Sequence, residues 1–440
     1  MTTLPKVLTR DLHGVSRSNI SSNALKVLYR LHEAGYRACL VGGGVRDVLL
    51  NVKPKDFDIA TDAHPEEVVK LFSNSRLIGR RFRLAHVHYG RDIIEVATFR
   101  TSPTNQRDRR FDQIDGRIVR DNVYGTIEDD AWRRDFTINA LYYDIDGFNV
   151  LDYVGGLDDL DNQVIRLIGH PLTRYQEDPV RILRAIRFAA KLGFTIDADT
   201  LAPIQDLAYR LHDVPAARLL EEGVKLFHGG YAVRSYEVLL EHDLFRYLFP
   251  ATASLLDNDT YATHDFLLQA FKNTDERIQQ GKPVNPAYLL AVLMWYPVLR
   301  GLQHDTTQGS PSAMAIHKAA DNVLGKQNRI TAMPRRYTAV MRSIWTLQTR
   351  LETAGGSRAQ RLITNPRFRA AYDFLCMRQS VGEQVFDRHD LWTDVQDLPE
   401  PQQDHFFENV PKITPGHQQK SRSKSRRRRR KKTDKTALQS

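Results

Sequence analysis

At 440 residues, with 41% hydrophobic and 26% charged side chains, the chain is long enough for several domains and has the composition of a globular protein. Two cysteines, Cys39 and Cys376, exclude a disulfide framework, and the longest apolar run, YLLAVLMWY at 288–296, is too short to span a bilayer. The net charge of +10 sits wholly in residues 420–440, which hold eleven Lys/Arg and one Asp, so the rest of the chain is neutral.

The opening MTTLPKVLTRDLHG has no apolar stretch that could serve as a secretory signal. With reduced cysteines it implies a cytoplasmic protein without membrane insertion. Residues 1–22 read as an N-terminal extension. YRACLVGG (36–43) reads as a strand entering a glycine turn, and VRDVLL (45–50) starts the following helix. DFDIAT (56–61) is a second strand, and HPEEVVKLF (64–72) a helix with Pro65 in its first turn. AHVHYG (85–90) and DIIEVATFR (92–100) form a hairpin around Gly90 and Arg91, and the polar stretch 101–122 reads as a mobile loop. From about residue 126 helical spacing takes over, in PVRILRAIRFAAKL (179–192), ARLLEEGVKLFHGG (217–230), YEVLLEHDLFRYLF (236–249) and much of 284–380. The class is α+β. A small mixed sheet with helices occupies 23–160, a helical neck 161–255, a helical body 256–410, and a disordered Lys/Arg-rich tail 411–440.

Chemistry concentrates in VGGGVRDVLLNVKPKDFDIAT (41–61). Residues two apart on a strand share a face, so Asp56 and Asp58 project together while Phe57 turns away. Two co-facing carboxylates repel unless a cation lies between them, and hard oxygen ligands favour Mg2+. Glu95, on the later strand, can supply a third oxygen. Three carboxylates on adjacent strands suit two metal ions acting on a phosphate and an attacking hydroxyl. Backbone without Cβ at Gly42 and Gly43 can approach an anion closely, and Arg46 in the first helical turn can reach phosphate oxygens. Each part has an ordinary alternative: a D-x-D is commonly a solvated strand end, and glycine triplets are commonly turns. The basic tail suits a polyanion through counterion release, and also reads as a solubilising segment or an import signal.

LVGGGVRDVLL…PKDFDIAT resembles the first motif of the tRNA nucleotidyltransferase/poly(A) polymerase family. The likeness continues through RRDFTINALYYD (133–144), LDYVGGLDDL (151–160), IRLIG (165–169) and EDPVRILRAIRFAAKLGF (177–194), covering roughly 20–250. The resemblance implies a nucleotidyltransferase head over 23–160, followed by a base- and RNA-binding neck and an RNA-binding body. It implies Asp56 and Asp58 as metal ligands, with Glu95 as a third catalytic carboxylate, and Mg2+ or Mn2+ as the ion. Gly42, Gly43 and Arg46 would hold the triphosphate of ATP. Arg134, Asp135 and Asn139 would contact the nucleotide and its ribose 2′-hydroxyl, Asp178 and Arg181 the base edge, and Arg184 completes the nucleotide-binding set. Asp178 precedes Pro179 and also reads as a helix N-cap, while Asp135 and Asn139 also read as turn residues.

LIGRRFRLAHV (77–87) is similar to a segment characteristic of the RNA-polyadenylating branch of that family. It makes Arg80, Arg81 and His86 RNA-contact candidates. In the tail, Arg426, Arg427, Arg428, Arg429 and Arg430 join them. Asn51 stands where relatives often carry glycine. The expected activity is template-independent transfer of AMP from ATP to RNA 3′ ends, serving RNA processing and turnover. The expected partners are RNA 3′ ends, ATP, and RNA-decay or RNA-chaperone proteins, with the chain a monomer. A CCA-adding tRNA nucleotidyltransferase is the alternative, and a non-catalytic RNA-binding relative the second; intact Asp56, Asp58 and Glu95 speak against decay of the site.

Overall fold

The computed structural model describes residues 4–79, 83–101, 113–114, 117–118, 123–257, 262–302, 312–383, 389–408 and 410. Contacts divide the chain into two compact units. The first comprises Met1–Pro215 with Arg234–Leu244, the second Ala216–Val233 with Phe245–Ser440.

The first unit is built on an eight-stranded mixed sheet. Its strands are β1 (Lys6–Leu8), β2 (Ala38–Val41), β3 (Asp58–Thr61), β4 (Ser75–Ile78), β5 (Leu84–Tyr89) and β6 (Asp92–Thr98), then β9 (Leu141–Asp144) and β10 (Asn149–Asp152). The order is β1-β10-β9-β2-β3-β6-β5-β4. All neighbours run antiparallel except β3 and β6, which run parallel. Two short strands, β7 (Gln113–Ile114) and β8 (Arg117–Ile118), pair with each other, as do β11 (Val164–Ile165) and β12 (Thr195–Ile196). The remainder of the stretch read as a mobile loop lies outside the described residues, apart from Thr101.

Helices α1 (Ser22–Glu33) and α3 (Pro65–Leu71) pack on the sheet, and α2 (Gly43–Leu49) joins β2 to the segment before β3. The Asp58/Ala60 face meets α4 (Ile127–Arg133) in an apolar cluster of Cys39, Val41, Ala60, Phe99, Ile127, Ala131, Tyr142 and Leu151. Beyond the sheet come α5 (Gly156–Asp161), α6 (Pro171–Glu177) and α7 (Val180–Leu192).

Three readings change. Helical spacing does not take over at residue 126, since β9 and β10 fall in that stretch and are interior strands of the sheet. The segment 1–22 is not a free extension, because β1 pairs with β10. The stretch 236–249 is two helical pieces, ending at Glu241 and restarting at Phe245, because Asp243 takes a left-handed φ of 54°.

The second unit is helical. Its long helices are Thr263–Gln279, Pro286–Leu302, Ala313–Gln327, Arg335–Thr353 and Phe368–Ser380. The apolar run 288–296 lies almost wholly buried in Pro286–Leu302, and no described helix is long and apolar enough to cross a membrane. Trp295, Trp345 and Trp392 are among the largest fully buried side chains. Burying aromatics of this size supplies much of the stabilisation a helical unit needs.

Candidate active site

The carboxylates take their places from strand register. Asp58 opens β3 and is the direct parallel partner of Glu95 on β6. Glu95 in turn faces His86 on β5, with His86 Nε2 3.4 Å from its carboxylate. Directly paired residues share a face, so His86, Glu95 and Asp58 form one row across three strands. Asp56 lies two residues ahead of β3 rather than on it. Its backbone carbonyl packs against Gly44 of α2, where a Cβ would stand 3.2 Å from that oxygen. A side chain at 44 would therefore displace the segment that carries Asp56.

The row is open to solvent on its surface but walled by protein. Burial raises the Asp58 carboxyl to about 6, Glu95 and then Asp56 pushing the same way against the opposing charge of Arg134. A carboxylate that two neighbouring acids disfavour is one that a divalent cation would relieve, so the donor set fits a hard metal ion. Among the described residues no three His, Cys, Asp or Glu side chains converge closely enough to form a ready-made metal cage.

Beside the carboxylates, β2 ends at Val41 and Gly42 caps α2 with a left-handed φ of 74°. That φ suits glycine, and it brings Gly42 against Arg134, whose Nη1 would lie 3.6 Å from a Cβ there. Arg134 ends α4, with Nε donating to Tyr142 Oη at 2.9 Å and to Asp130 Oδ2 at 3.1 Å, and Nη2 to Asp130 Oδ2 at 2.9 Å. Burial alone would lower its pKa, but Tyr142 and Asp130 outweigh it and hold the guanidinium firmly charged. Its Nη1 makes no hydrogen bond among the described residues, which leaves a donor beside the glycine turn.

Arg46 sits elsewhere than its position in the first helical turn suggested. It is 2% exposed beneath the turn, bonded to Asp47 Oδ1 through Nε at 2.8 Å and to Asn139 Oδ1 through Nη1 at 2.5 Å. This last bond holds Asn139 in place. Asn139 Nδ2 donates to Asp135 Oδ1 at 3.4 Å, and Asp135 pairs with Arg184 of α7. Burial would raise Asp135, yet Arg184 and the Phe136 N–H hold it at about 2. Arg46, Asn139, Asp135 and Arg184 thus form one polar ladder from α2 to α7.

The turn carrying Asn139 (Thr137–Asn139) rests on α5. A Cβ at Gly156 would lie 2.3 Å from the Thr137 carbonyl oxygen, so this contact requires glycine. Asp152 accepts backbone N–H groups of Val154, Gly155, Gly156 and Leu157 at 2.9–3.0 Å, winding LDYVGGLDDL into the support for that turn.

Asp178 and Arg181 stand at the junction of α6 and α7. Asp178 Oδ1 is 3.4 Å from the Val180 N–H, a long bond for an N-cap. Arg181 Nη1 donates to the Arg174 carbonyl at 2.6 Å and to Glu177 at 3.1 Å, while its Nε and Nη2 make no hydrogen bond among the described residues. Arg80, Arg81 and Arg426–Arg430 lie outside the described residues.

Sequence reading missed Asp130, Tyr142, Gly44 and Arg174. Asp130 carried a faint signal, four residues before Arg134 on one helix face. Arg174 carried none, because it bonds to the carbonyls of Arg133 and Arg134, about forty residues away.

A mixed sheet with co-facing carboxylates beside a glycine turn and a buried ladder of Arg, Asn and Asp defines a nucleotidyltransferase head. Residues 38–166 match the family described as "Poly A polymerase head domain", residues 193–256 "Probable RNA and SrmB- binding site of polymerase A", and residues 308–433 "Polymerase A arginine-rich C-terminus". A poly(A) polymerase I of Escherichia coli O6:H1 is 52% identical over 380 residues, 85% of this chain and 82% of that protein. One of Haemophilus influenzae is 42% identical over 408 residues, 91% of this chain and 90% of that protein. A CCA-adding enzyme of Thermotoga maritima, solved in complex with tRNA, is 20% identical with a TM-score of 0.55, covering 89% of this chain and 85% of its own; it shares the fold. The chain belongs to the bacterial poly(A) polymerase I family.

Proposed function

We infer that this chain is a polynucleotide adenylyltransferase, which adds AMP from ATP to RNA 3′ ends without a nucleic-acid template. Its 52% identity to a poly(A) polymerase I over 85% of the chain supports that activity over CCA addition, since a CCA-adding enzyme matches at 38% over only 50% of the chain. The observation that carries the chemistry is the pairing of Asp58 with Glu95 across parallel strands, next to the turn at Gly42.

Asp56 and Asp58, with Glu95 alongside, would hold Mg2+ or Mn2+, which supplies Lewis-acid stabilisation of charge on the reacting phosphate. The glycine turn and Arg134 Nη1 give the phosphates or sugar of ATP a donor-rich wall. Asp135 and Asn139, fixed by Arg184 and Arg46, face the ribose, and Asp178 and Arg181 read the base edge. His86, Arg80, Arg81 and the arginines 426–430 contact RNA. Positioning and fixed charge then account for most of the rate, because phosphoryl chemistry asks little covalent work of a protein. The setting is the cytoplasm and the working form a monomer, with RNA-decay or RNA-chaperone proteins as partners.

Incubating the protein with an RNA oligonucleotide and each nucleotide separately tests the reading. Long products with ATP alone support it. No long products with ATP, and on a tRNA given CTP and ATP together addition of C followed by one A, would replace it with CCA synthesis. Deleting 420–440 is expected to flatten the salt dependence of RNA binding, and an unchanged slope would remove the tail from the interface.

A further inference from the structure

Arg174 of α6 touches both halves of the nucleotide-reading surface. It is 8% exposed, and its Nη2 donates to the carbonyl oxygens of Arg133 and Arg134, each at 2.7 Å. These carbonyls belong to the segment that leads into Asp135 and Asn139. On its other side, Nη1 donates to Glu177 Oε2 at 2.7 Å, and Glu177 also accepts from Arg181. The Arg174 carbonyl accepts Arg181 Nη1 at 2.6 Å and the Asp178 backbone N–H at 3.2 Å. One residue therefore clasps the sugar-facing segment with its guanidinium and the base-facing pair with its backbone and a shared carboxylate.

We propose that Arg174 is a positioning residue that fixes the sugar-reading segment Arg134–Asn139 relative to the base-reading pair Asp178 and Arg181, so that base and sugar are discriminated as one unit. The inference rests on the reading of Asp178 and Arg181 as base-facing. Its physical basis is geometric. A planar guanidinium can bond two carbonyls with one nitrogen and a carboxylate with another, whereas a lysine ammonium is a point donor that cannot span both sides. Once the clasp is cut, each half still exists but no longer at a set distance. A misplacement of about 1 Å is enough to cost an enzyme on the order of a hundredfold.

The test measures kcat and KM of the full chain for ATP, CTP and dATP on one RNA oligonucleotide, in Arg174→Ala, Arg174→Lys and Asp178→Ala. Arg174→Ala is expected to lower the preferences for ATP over CTP and for ATP over dATP together, each by about tenfold, mainly through KM for ATP. Arg174→Lys keeps the charge and is expected to keep the melting temperature while losing both preferences by several-fold, so it carries the test if the alanine variant folds poorly. Asp178→Ala should change the base preference alone. If Arg174→Lys melts normally and leaves either ratio unchanged, the coupling role is overturned. If Asp178→Ala leaves the base preference intact, the underlying reading of the base-facing pair has failed instead.

Discussion

The first unit buries Arg46, Asp47, Asp130, Asn139, Asp152, Asp159 and Arg174, whereas Trp295, Trp345 and Trp392 with their aromatic neighbours dominate the interior of the second. The second unit buries fewer charges: Glu222, paired with Lys225, and a set around Arg378. Arg378 bonds Glu352 at 2.7 Å and Glu383 at 2.7 Å and lies over the Trp295 ring at 4.8 Å. Desolvating charge is costly even when it is paired, so the first unit, which buries more of it, carries the larger energetic burden. Part of that burden holds the candidate site: Arg46 bonds Asn139, and Arg174 bonds the carbonyls of Arg133 and Arg134. The sheet unit is arranged for position and the helical unit for packing.

Substitutions can break that contrast. Asp58→Asn should reduce AMP incorporation by at least about a thousandfold, on the order of 4 kcal/mol of barrier, in a primer-extension assay. Its folded pKa is raised to about 6, so the charge it loses was disfavoured in the folded chain. Stability in chemical denaturation should therefore hold or rise at neutral pH. Full activity, or a large loss of stability, would show that Asp58 is structural. Trp345→Ala should do the reverse. Trp345 is fully buried, and its Nε1 donates to the Ala291 carbonyl at 3.1 Å. Its loss should cost about 3 kcal/mol of stability, read by urea unfolding.

Asp135 sharpens the comparison, being a largely covered carboxylate that is also a candidate nucleotide contact. Held at about 2 by Arg184 and the Phe136 N–H, its carboxylate stabilises the fold fully above the ordinary pKa near 3.8. That stabilisation is lost as pH falls toward 2. Asp135→Asn should lower stability at neutral pH by about 2 kcal/mol, and the wild-type advantage should shrink in unfolding series taken from pH 5 down to 2.5. An advantage constant with pH would mean that the Asp135–Arg184 pair contributes nothing through its charge. The smallest effect is expected at Asn51, which holds a left-handed φ of 56° where α2 ends. Asn51→Gly should gain about 0.5 kcal/mol, since glycine adopts that conformation without strain; a loss would point to a role for the amide itself.

Much of this was legible in the sequence because it is local. The glycine turn follows β2, the hairpin of β5 and β6 reverses at Gly90 and Arg91, and Asp58 and Glu95 lie on strands with clear apolar patterns. What escaped notice was non-local or lacked alternation. LYYD at 141–144 is buried along its whole length, so no two-residue rhythm marks it as a strand. Three-residue β1 is too short to announce itself. Arg46 reads from its glycine neighbours as a phosphate contact; its bonds to Asp47 and Asn139 are visible only in the fold. Arg174 is defined by carbonyls that its own stretch of sequence cannot reveal.

The pairing of β1 with β10 has a consequence for how the chain is made. Lys6–Leu8 are synthesised about 145 residues before the strand they join, Asn149–Asp152. At bacterial synthesis speeds that interval is on the order of ten seconds. Throughout it the leading strand has no partner, so the sheet closes its outer edge only after the segments bearing the carboxylates have been synthesised.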